Sequence, residues 1–351
     1  MPDLPRIWMR HESRRTEQRA ALVPEDARKL IARGVHLTVE ESPQRVFPAR
    51  AYADAGCAIT PRGSWTSRCP ATDIVLGLKE LPDEPAELIH RHVYFGHAYK
   101  GQPEAPRLLR RFESGGGTLL DLEHLLDAEG CRIAAFGYWA GYAGASLAVL
   151  QHRGQLTAPL APSSSHELRR QLALGRRMGS ASALVIGADG RSGRGACEAL
   201  GAAGIRPTRW GSDDTRDLDR DALLAHDLLV NAIGCDRPVP PFLTKADLDN
   251  ERRRLSAIVD VTCDVGSELN ALPVYDHVTD WDNPVERLCE GPRPLDVIAI
   301  DNLPSLVPAE ASRAFSANLW PLLLSLRDGS EVWDRCEGAF RHALVSLGER
   351  G

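Results

Sequence analysis

The stretch that decides the fold is Ala183-Leu184-Val185-Ile186-Gly187-Ala188-Asp189-Gly190-Arg191-Ser192-Gly193. Its apolar run predicts a buried strand, and the glycine-rich segment predicts a turn into a helix over residues 194–203. Glycines in such a turn let the backbone approach a pyrophosphate, and the helix N-terminus supplies free N–H groups. The spacing is G-x-x-G-x-x-G rather than G-x-G-x-x-G, so an ordinary strand-to-helix turn remains an alternative at this point.

The next predicted strand, Thr208-Arg209-Trp210, ends where an acidic residue usually binds the adenosine ribose of a dinucleotide. Here Gly211 and Ser212 follow the strand, and the first acidic residue comes only afterwards. A small Gly-Ser pair near Arg191 and Arg209 also suits a 2′-phosphate. These residues therefore leave NAD and NADP open as alternatives.

Length and composition limit the class of protein. The 351 residues suggest two domains at about 150 residues each. A net charge of −6 offers no basic surplus for nucleic acid or for an acidic membrane surface. The eight cysteines are scattered without a C-x-x-C pair, which indicates neither a disulfide framework nor a zinc site.

We predict neither a secretory signal nor a membrane span. The N-terminus lacks the apolar core of a signal peptide. Residues 133–150 carry no charge but contain several glycines and alanines, so we interpret them as a buried helix rather than a membrane span. We expect a cytoplasmic protein without a membrane or nucleic-acid partner, as a monomer or small homo-oligomer.

Apolar runs of the parallel-strand type alternate with helical stretches along the chain. In the first 130 residues, strands are predicted at 5–10, 35–40, 73–77, 93–97 and 118–121. After a Pro/Ser-rich stretch at 155–165, further strands are predicted at 228–231 and 257–261, and helices at 308–326 and 331–347. This alternation predicts α/β layers built on parallel sheets.

Three short motifs place bases and cations at predicted strand ends or helix starts in the first domain. Gly77-Leu78-Lys79-Glu80 ends a buried strand, Phe95-Gly96-His97-Ala98-Tyr99-Lys100 ends another, and Arg19 precedes a helix. A lysine desolvated by apolar neighbours can act as a base, and histidine is the usual proton shuttle. Arg19, Arg132 and Lys100 are candidate cations for carboxylates. A solvated surface lysine and a structural histidine are the alternatives.

We predict no metal site. His90, His92 and His97 lack acidic or cysteine partners at ligand spacing.

In their order along the chain, these motifs resemble the NAD-dependent, lysine-forming saccharopine dehydrogenases, which are related to alanine dehydrogenases and the transhydrogenase nucleotide-binding subunit. The resemblance covers nearly the whole chain. It rests on Arg19-Ala20-Ala21-Leu22, Val39-Glu40-Glu41-Ser42-Pro43-Gln44, Gly77-Leu78-Lys79-Glu80, His97-Ala98-Tyr99-Lys100, Ala134-Ala135-Phe136-Gly137, Ala140-Gly141-Tyr142-Ala143-Gly144-Ala145 and Ile300-Asp301-Asn302-Leu303-Pro304-Ser305-Leu306-Val307-Pro308.

The resemblance implies an α/β fold of two Rossmann-like domains with parallel sheets flanked by helices and an active site in the interdomain cleft. Residues 1–135 with 308–351 would form the substrate and catalytic domain, and residues 136–307 the dinucleotide-binding domain. The implied reaction is the NAD(P)-linked interconversion of saccharopine with L-lysine and 2-oxoglutarate in lysine biosynthesis, so the partners are small amino-acid and 2-oxo-acid substrates.

The resemblance also implies roles for individual residues. Lys79 would take the proton of the secondary amine, and His97 would act as acid and base in imine hydrolysis. Substrate contacts fall on Arg19, Lys100, Arg132 and Phe136. Cofactor contacts fall on Gly187, Gly190, Arg191, Ser192, Gly193, Gly211 and Asp301.

Three positions depart from the family pattern. Gly211 replaces an aspartate that directly follows the tryptophan, which removes a ribose ligand and keeps both NAD and NADP open. Cys131 replaces an arginine, and Gly234 replaces an aromatic residue. A related opine-type reductive aminase that joins a different amino acid to a 2-oxo acid is the main alternative. A non-catalytic nucleotide sensor is a second one.

Lysine is rare in this chain, with four of the 42 basic residues. Two of the four, Lys79 and Lys100, lie in the motifs assigned to the chemistry. Guanidinium cannot give up its proton near neutral pH, whereas an ammonium can. The composition therefore favours Lys79 as a base.

Overall fold

The computed structural model describes residues 4–99, 102, 104–175, 181–235, 237–327 and 330–348. The chain forms two compact units. Unit 1 comprises residues 1–135 together with 311–351, and unit 2 comprises residues 136–310. The second boundary lies at residue 311, within a helix, whereas the sequence placed it at residue 308.

Unit 1 contains a six-stranded parallel sheet in the order β3-β2-β1-β4-β5-β6. The strands are β1 (Arg6–Met9), β2 (His36–Glu40), β3 (Ala58–Thr60), β4 (Ile74–Leu76), β5 (Arg91–Tyr94) and β6 (Thr118–Asp121). The strand order reverses between β1 and β4, and doubly wound sheets bind ligands outside the carboxyl ends of the strands at such a point. A functional site in unit 1 is therefore expected beyond the carboxyl ends of β1 and β4.

Helices cover the sheet of unit 1. They are α1 (Pro24–Ile31), α2 (Ala49–Ala53), α3 (Trp65–Arg68), α4 (Ala105–Gly115) and α11 (Glu331–Gly348), and α10 (Pro308–Leu323) contains the boundary at residue 311. Helix α1 begins with Pro24, which fits the first turn because it has no N–H to leave unpaired. Helices α4 and α11 pack through an edge-to-face contact of Phe112 and Phe340, with ring centroids 5.7 Å apart.

An imidazole lies in the core of unit 1. His92, on β5, is fully buried, and its ring meets Trp65 and Phe112 at centroid distances of 5.2 and 5.4 Å. Within the part of the chain that the structure describes, neither ring nitrogen has a hydrogen-bond partner. Burial, with the charge of Arg10 next in size, lowers the pKa of His92 well below its ordinary value, so the ring is neutral in the folded protein.

Unit 2 contains a second six-stranded sheet in the order β11-β12-β10-β9-β7-β8. The strands are β7 (Ala183–Ile186), β8 (Thr208–Trp210), β9 (Leu228–Asn231), β10 (Ala257–Asp260), β11 (Glu286–Cys289) and β12 (Leu295–Ile298). All pairs are parallel except the edge pair of β11 with β12. Every residue of β7, β9, β10 and β12 is buried, which is why β7, β9 and β10 could be predicted from their apolar residues. Strand β12 contains Asp296 and was not predicted.

The helices of unit 2 are α5 (Gly137–His152), α6 (Ser165–Leu174), α7 (Arg191–Ala202), α8 (Ser212–Arg216) and α9 (Arg220–Leu224), followed by the start of α10. The charge-free helix α5 packs against α7 through glycines. A Cβ on Gly141 would lie 1.8 Å from the Ser192 carbonyl oxygen, and one on Gly195 would lie 1.9 Å from that of Tyr138. The small residues of the 133–150 stretch thus serve close helix packing. No described helix is long and apolar enough to cross a membrane.

Candidate active site

The glycine-rich turn joins β7 to α7 in unit 2, at the point where the strand order reverses between β7 and β9. Gly187 has a φ of +78°, and the Gly190 N–H donates to its carbonyl at 3.1 Å. A Cβ on Gly193 would lie only 2.1 Å from the Gly187 carbonyl oxygen. Because side chains are excluded here and a twelve-residue helix begins at Arg191, the turn fits the pyrophosphate of a dinucleotide.

The helix starts three residues earlier than the sequence pattern predicted. Arg191 and Ser192 therefore lie in its first turn, where free N–H groups point toward an anion. The N-cap residue is Gly190. The usual sequence signal for a helix start is Ser, Thr, Asp or Asn at this position, so the start at Arg191 could not be predicted from it.

The end of β8 lies beside this turn, since the Gly187 N–H donates to the Trp210 carbonyl at 2.8 Å. Gly211 follows the strand, and its N–H donates to the Asp214 carboxylate at 2.7 Å. Arg209 is half-exposed and forms a 2.6 Å ion pair with Asp189 of the turn. The position at which a ribose carboxylate is expected is thus a glycine, and an arginine paired with an aspartate lies beside it.

Asp301 and Phe136 complete the predicted residues of unit 2. Asp301 is exposed and follows β12 at the same carboxyl edge of the sheet. Burial and then the charges of Asp260, Asp301 and Asp264 raise the pKa of the Cys263 thiol, which places Asp301 close to the end of β10. Phe136 precedes α5, and its carbonyl accepts from the Ala140 N–H at 3.1 Å.

In unit 1, Lys79 and His97 follow neighbouring strands. The Phe95 N–H donates to the Leu78 carbonyl at 3.1 Å, so the ends of β4 and β5 stay joined up to one residue before Lys79. The sequence predicted a strand over residues 93–97, but β5 ends at Tyr94. His97 lies beyond it with a φ of +49°, a left-handed conformation that is uncommon outside glycine. That turn is incompatible with continued strand pairing.

Arg19 is buried together with Glu17. Its Nε and Nη2 donate to the two Glu17 carboxylate oxygens at 2.8 and 2.5 Å, in a bidentate pair. Burial opposes ionisation of Glu17, but the charge and hydrogen bonds of Arg19 outweigh it and lower the pKa of Glu17. Lys79 adds to this effect, as it does for the lowered pKa of Glu80, so Lys79 lies near two carboxylates. Lys79 therefore has charged neighbours, in contrast to the apolar neighbours predicted from the sequence.

Glu123 brings His97 and Arg132 together. One of its oxygens lies 3.3 Å from the Nδ1 of His97 and 3.8 Å from an Nη of Arg132. The His97 ring also stacks on Phe95, with centroids 6.4 Å apart and an interplanar angle of 25°. Burial raises the pKa of the adjacent Asp121, and the charge of Glu123 adds to the rise while His97 opposes it. The His97 imidazole is thus oriented by a carboxylate and an aromatic face.

Beyond the ends of strands in unit 1, the structure places Lys79 near the pair of Arg19 and Glu17, and it places His97 and Arg132 against Glu123. Lys100 lies outside the described residues. The acidic partners are Glu17, Glu123 and Glu12, whose carboxylate accepts from the Lys79 N–H at 2.9 Å, and none of them appeared among the sequence-predicted site residues. Glu12 and Glu123 could have been predicted as site residues, because each comes within three residues of the end of a predicted strand.

Both units match models of one protein family. Residues 8–143 match the model described as alanine dehydrogenase/PNT, N-terminal domain, and residues 180–348 match alanine dehydrogenase/PNT, C-terminal domain. A solved structure of L-alanine dehydrogenase superposes with a TM-score of 0.70 at 17% identity, covering 98% of this chain and 99% of that one. At that identity the likeness shows the shared fold.

Two curated relatives extend the match in sequence. A protein of Yarrowia lipolytica named saccharopine dehydrogenase (NAD(+), L-lysine-forming) is 38% identical over 98% of this chain and 99% of its own length. A protein of Emericella nidulans with the same name is 39% identical over 97% and 98%. The chain therefore belongs to the saccharopine dehydrogenase family, within the larger alanine dehydrogenase/PNT group.

Proposed function

We propose that this chain is an NAD(P)-dependent saccharopine dehydrogenase that interconverts saccharopine with L-lysine and 2-oxoglutarate. The observation that carries the proposal is the placement of Lys79 and His97 beyond the ends of the neighbouring strands β4 and β5, with the Arg19–Glu17 pair near Lys79 and Glu123 beside His97. Saccharopine is a secondary amine with three carboxylates, so its oxidation needs a proton acceptor at nitrogen and fixed cations around it. The near full-length identity to relatives named for this reaction supports the same conclusion.

The reaction divides between a hydride step and a hydrolysis step. A nicotinamide dinucleotide held at the turn of Gly187, Gly190 and Gly193 would supply the hydride acceptor for the carbon that becomes the imine carbon. Lys79 takes the proton of the secondary amine as that carbon–nitrogen bond becomes an imine. His97 then accepts a proton from the water that adds to the imine carbon and passes it to the nitrogen, which gives a carbinolamine. It next accepts the proton of the carbinol hydroxyl and donates it to the nitrogen as the carbon–nitrogen bond breaks, so that both hydrogens of the water end on the amine.

The other residues assigned to the substrate bind and orient it. Arg19 offers a guanidinium that Glu17 already fixes in place, which lowers the entropy lost when a substrate carboxylate binds. Arg132 is about half exposed and lies beside Glu123, so it can reach a carboxylate. Lys100 and Phe136 are assigned to the substrate by family resemblance alone.

The test is an NAD(P)H oxidation assay with 2-oxoglutarate and a panel of amino acids that includes lysine, ornithine and arginine. We expect lysine to give the highest kcat/KM, with saccharopine as the product by mass spectrometry. A higher kcat/KM with another amino acid would assign a different opine, rather than saccharopine, as the product. Absence of turnover with every pair would overturn the assignment as an enzyme.

The cofactor is a nicotinamide dinucleotide, and we propose that discrimination between NAD and NADP is weak. The residue after Trp210 is Gly211 rather than an acid, and Arg209 brings a positive charge to the strand end. We expect NADPH to be used at least comparably to NADH. Among the described residues, a Cβ on Gly211 would meet Asp214 Oδ2, at 3.9 Å, so the Cβ of Gly211→Asp would make no close contact.

Gly211→Asp should raise the preference for NADH over NADPH by about tenfold, because a carboxylate accepts from the ribose hydroxyl and repels a 2′-phosphate. Gly201→Asp adds the same charge to open space at the far end of α7 and should leave the kcat/KM ratio unchanged. A large NADH preference in the wild type, unaltered by Gly211→Asp, would overturn the proposed weak discrimination.

A further inference from the structure

An ion pair is buried at the end of β1 in unit 1, beside the point where the strand order reverses. Arg10 is 1% exposed and Glu12 is 6% exposed. Burying two charges costs more free energy than packing apolar side chains of similar size. The contacts of the two side chains therefore need a reason beyond stability.

The Glu12 carboxylate binds the backbone of the loop that follows β4. The Leu78 N–H donates to Glu12 Oε1 at 2.8 Å, and the Lys79 N–H donates to Glu12 Oε2 at 2.9 Å. Regular pairing between β4 and β5 supplies hydrogen bonds only up to Gly77 and Leu78. Beyond the end of the sheet, the Glu12 carboxylate accepts the backbone hydrogen bonds of the loop, including that of the Lys79 N–H.

Arg10 binds the same loop from its other side. Its Nη2 donates to the Lys79 carbonyl, and its Nη1 lies 3.3 Å from Glu12 Oε2 and 3.0 Å from the His11 carbonyl oxygen. The guanidinium lies 5.6 Å from the centre of the Tyr94 ring. The sequence leaves room for it, because a Cβ on Gly77 would lie 2.4 Å from Arg10 Nε.

The two peptide groups that flank the Cα of Lys79 are therefore both held by buried side chains from the end of β1. We propose that Glu12 and Arg10 are positioning residues that fix the backbone of Lys79 so that its ammonium meets the substrate amine. The proposal rests on the proposed function, in which Lys79 is the proton acceptor. Holding a base within a fraction of an ångström of its working position is worth large factors in rate.

A double-mutant cycle in the full-length enzyme tests this proposal. Glu12→Gln keeps the size of the side chain but replaces one accepting oxygen by an amide group that cannot accept. We expect the kcat for saccharopine oxidation to fall at least tenfold, with the KM for saccharopine and the Kd for the dinucleotide within threefold of wild type. In a Lys79→Met background, we expect Glu12→Gln to change kcat less than twofold.

Asp73→Asn is the matched control. Asp73 is also a buried carboxylate of unit 1 that pairs with an arginine, since its Oδ1 accepts from Arg6 Nε at 3.0 Å. It directly precedes β4, whereas Lys79 follows the other end of that strand. The effect of Asp73→Asn on kcat, whatever its size, should be the same in both backgrounds, and its Tm should fall.

Arg10→Lys gives a second cycle if Glu12→Gln does not fold. It keeps the positive charge beside Glu12 but loses the fork that reaches the Lys79 carbonyl, so it should show the same dependence on Lys79. Equal losses of kcat with and without Lys79 would overturn the positioning role, as would a rise in KM at constant kcat. If Lys79→Met itself kept full activity, the assignment of Lys79 in the proposed function would fail instead, and the positioning role with it.

Discussion

The strand ends of unit 1 and unit 2 carry different chemistry, although both sheets are doubly wound and open at their carboxyl ends. In unit 1 the ends of β1, β4, β5 and β6 are followed by charged or titratable side chains such as Glu12, Lys79 and Glu123. In unit 2 the end of β7 is followed by glycines and a helix N-terminus. One fold thus places side chains that can exchange protons at the strand ends of unit 1, and backbone N–H groups suited to an anion at a strand end of unit 2.

The contrast follows from what each ligand requires. A pyrophosphate is bound by main-chain donors that approach closely, so Cβ atoms must be absent, as at Gly193. A secondary amine needs a group that exchanges protons, which the backbone cannot provide. The comparison predicts that substitutions in unit 1 change turnover, whereas substitutions in the turn of unit 2 change cofactor affinity.

Lys79→Met should have the largest effect. Removing a general base lowers kcat by about 10²–10⁴-fold, while the Kd for the dinucleotide stays within about twofold. Steady-state kinetics and fluorescence titration measure the two quantities. Lys29→Met is the matched control, because Lys29 lies on α1 in an ion pair with Asp26 at 2.6 Å and should leave both unchanged. A loss of cofactor affinity as large as the loss of kcat would break the comparison.

Gly193→Ala should have the opposite signature. The added Cβ meets the Gly187 carbonyl at 2.1 Å and the Ala188 Cα at 2.5 Å, so the backbone of the turn has to shift. We expect the Kd for the dinucleotide to rise about tenfold or more, which is about 1.4 kcal/mol, as measured by calorimetric titration.

Gly201→Ala on the same helix is the control for that change. Its Cβ meets nothing within 4 Å, and alanine favours a helix over glycine by about 0.5–1 kcal/mol. We expect unchanged cofactor affinity and a slightly higher Tm. Equal affinity losses in Gly193→Ala and Gly201→Ala would show that helix α7, rather than the close turn, determines binding.

The smallest predicted effect is on the free energy of unfolding, and it arises from a difference between the buried strands of the two units. Strand β5 of unit 1 buries His92, whereas β7 of unit 2 is Ala-Leu-Val-Ile. Because the folded pKa of His92 lies below its value of about 6.5 in the unfolded chain, the unfolded state binds a proton first as the pH falls. Stability is complete above pH 6.5 and declines below it by about 1.4 kcal/mol per pH unit from this residue.

His92→Phe should remove this part of the pH dependence of the free energy of unfolding, which urea titrations between pH 5 and 7.5 measure. Phe112→Leu, in a ring that packs on His92, should lower stability by a similar amount at every pH. An unchanged slope in His92→Phe would mean that another group titrates in this range.

Much of the fold could be predicted from the sequence because buried parallel strands need continuous apolar residues. Strands β8 and β9 match their predicted bounds, and β7 and β10 lie within one residue of theirs. Strands β3, β11 and β12 were missed. The edge strands β3 and β11 are only partly buried and have no such run, and Asp296 interrupts the apolar residues of β12. The ends of β5 and the start of α7 were misplaced because a left-handed His97 and a glycine N-cap leave no local pattern.

The sequence by itself determined which residue types are available for the chemistry. Lys79, His97 and the glycine-rich turn are recognisable because proton exchange and close backbone approach each demand particular side chains at a strand end. Only the tertiary structure decided which carboxylates contact Lys79 and His97. Glu12 reaches Lys79 across 67 positions, because the strand order in the sheet makes neighbours of β1 and β4. Strand order depends on packing of the whole unit, so no local pattern contains it.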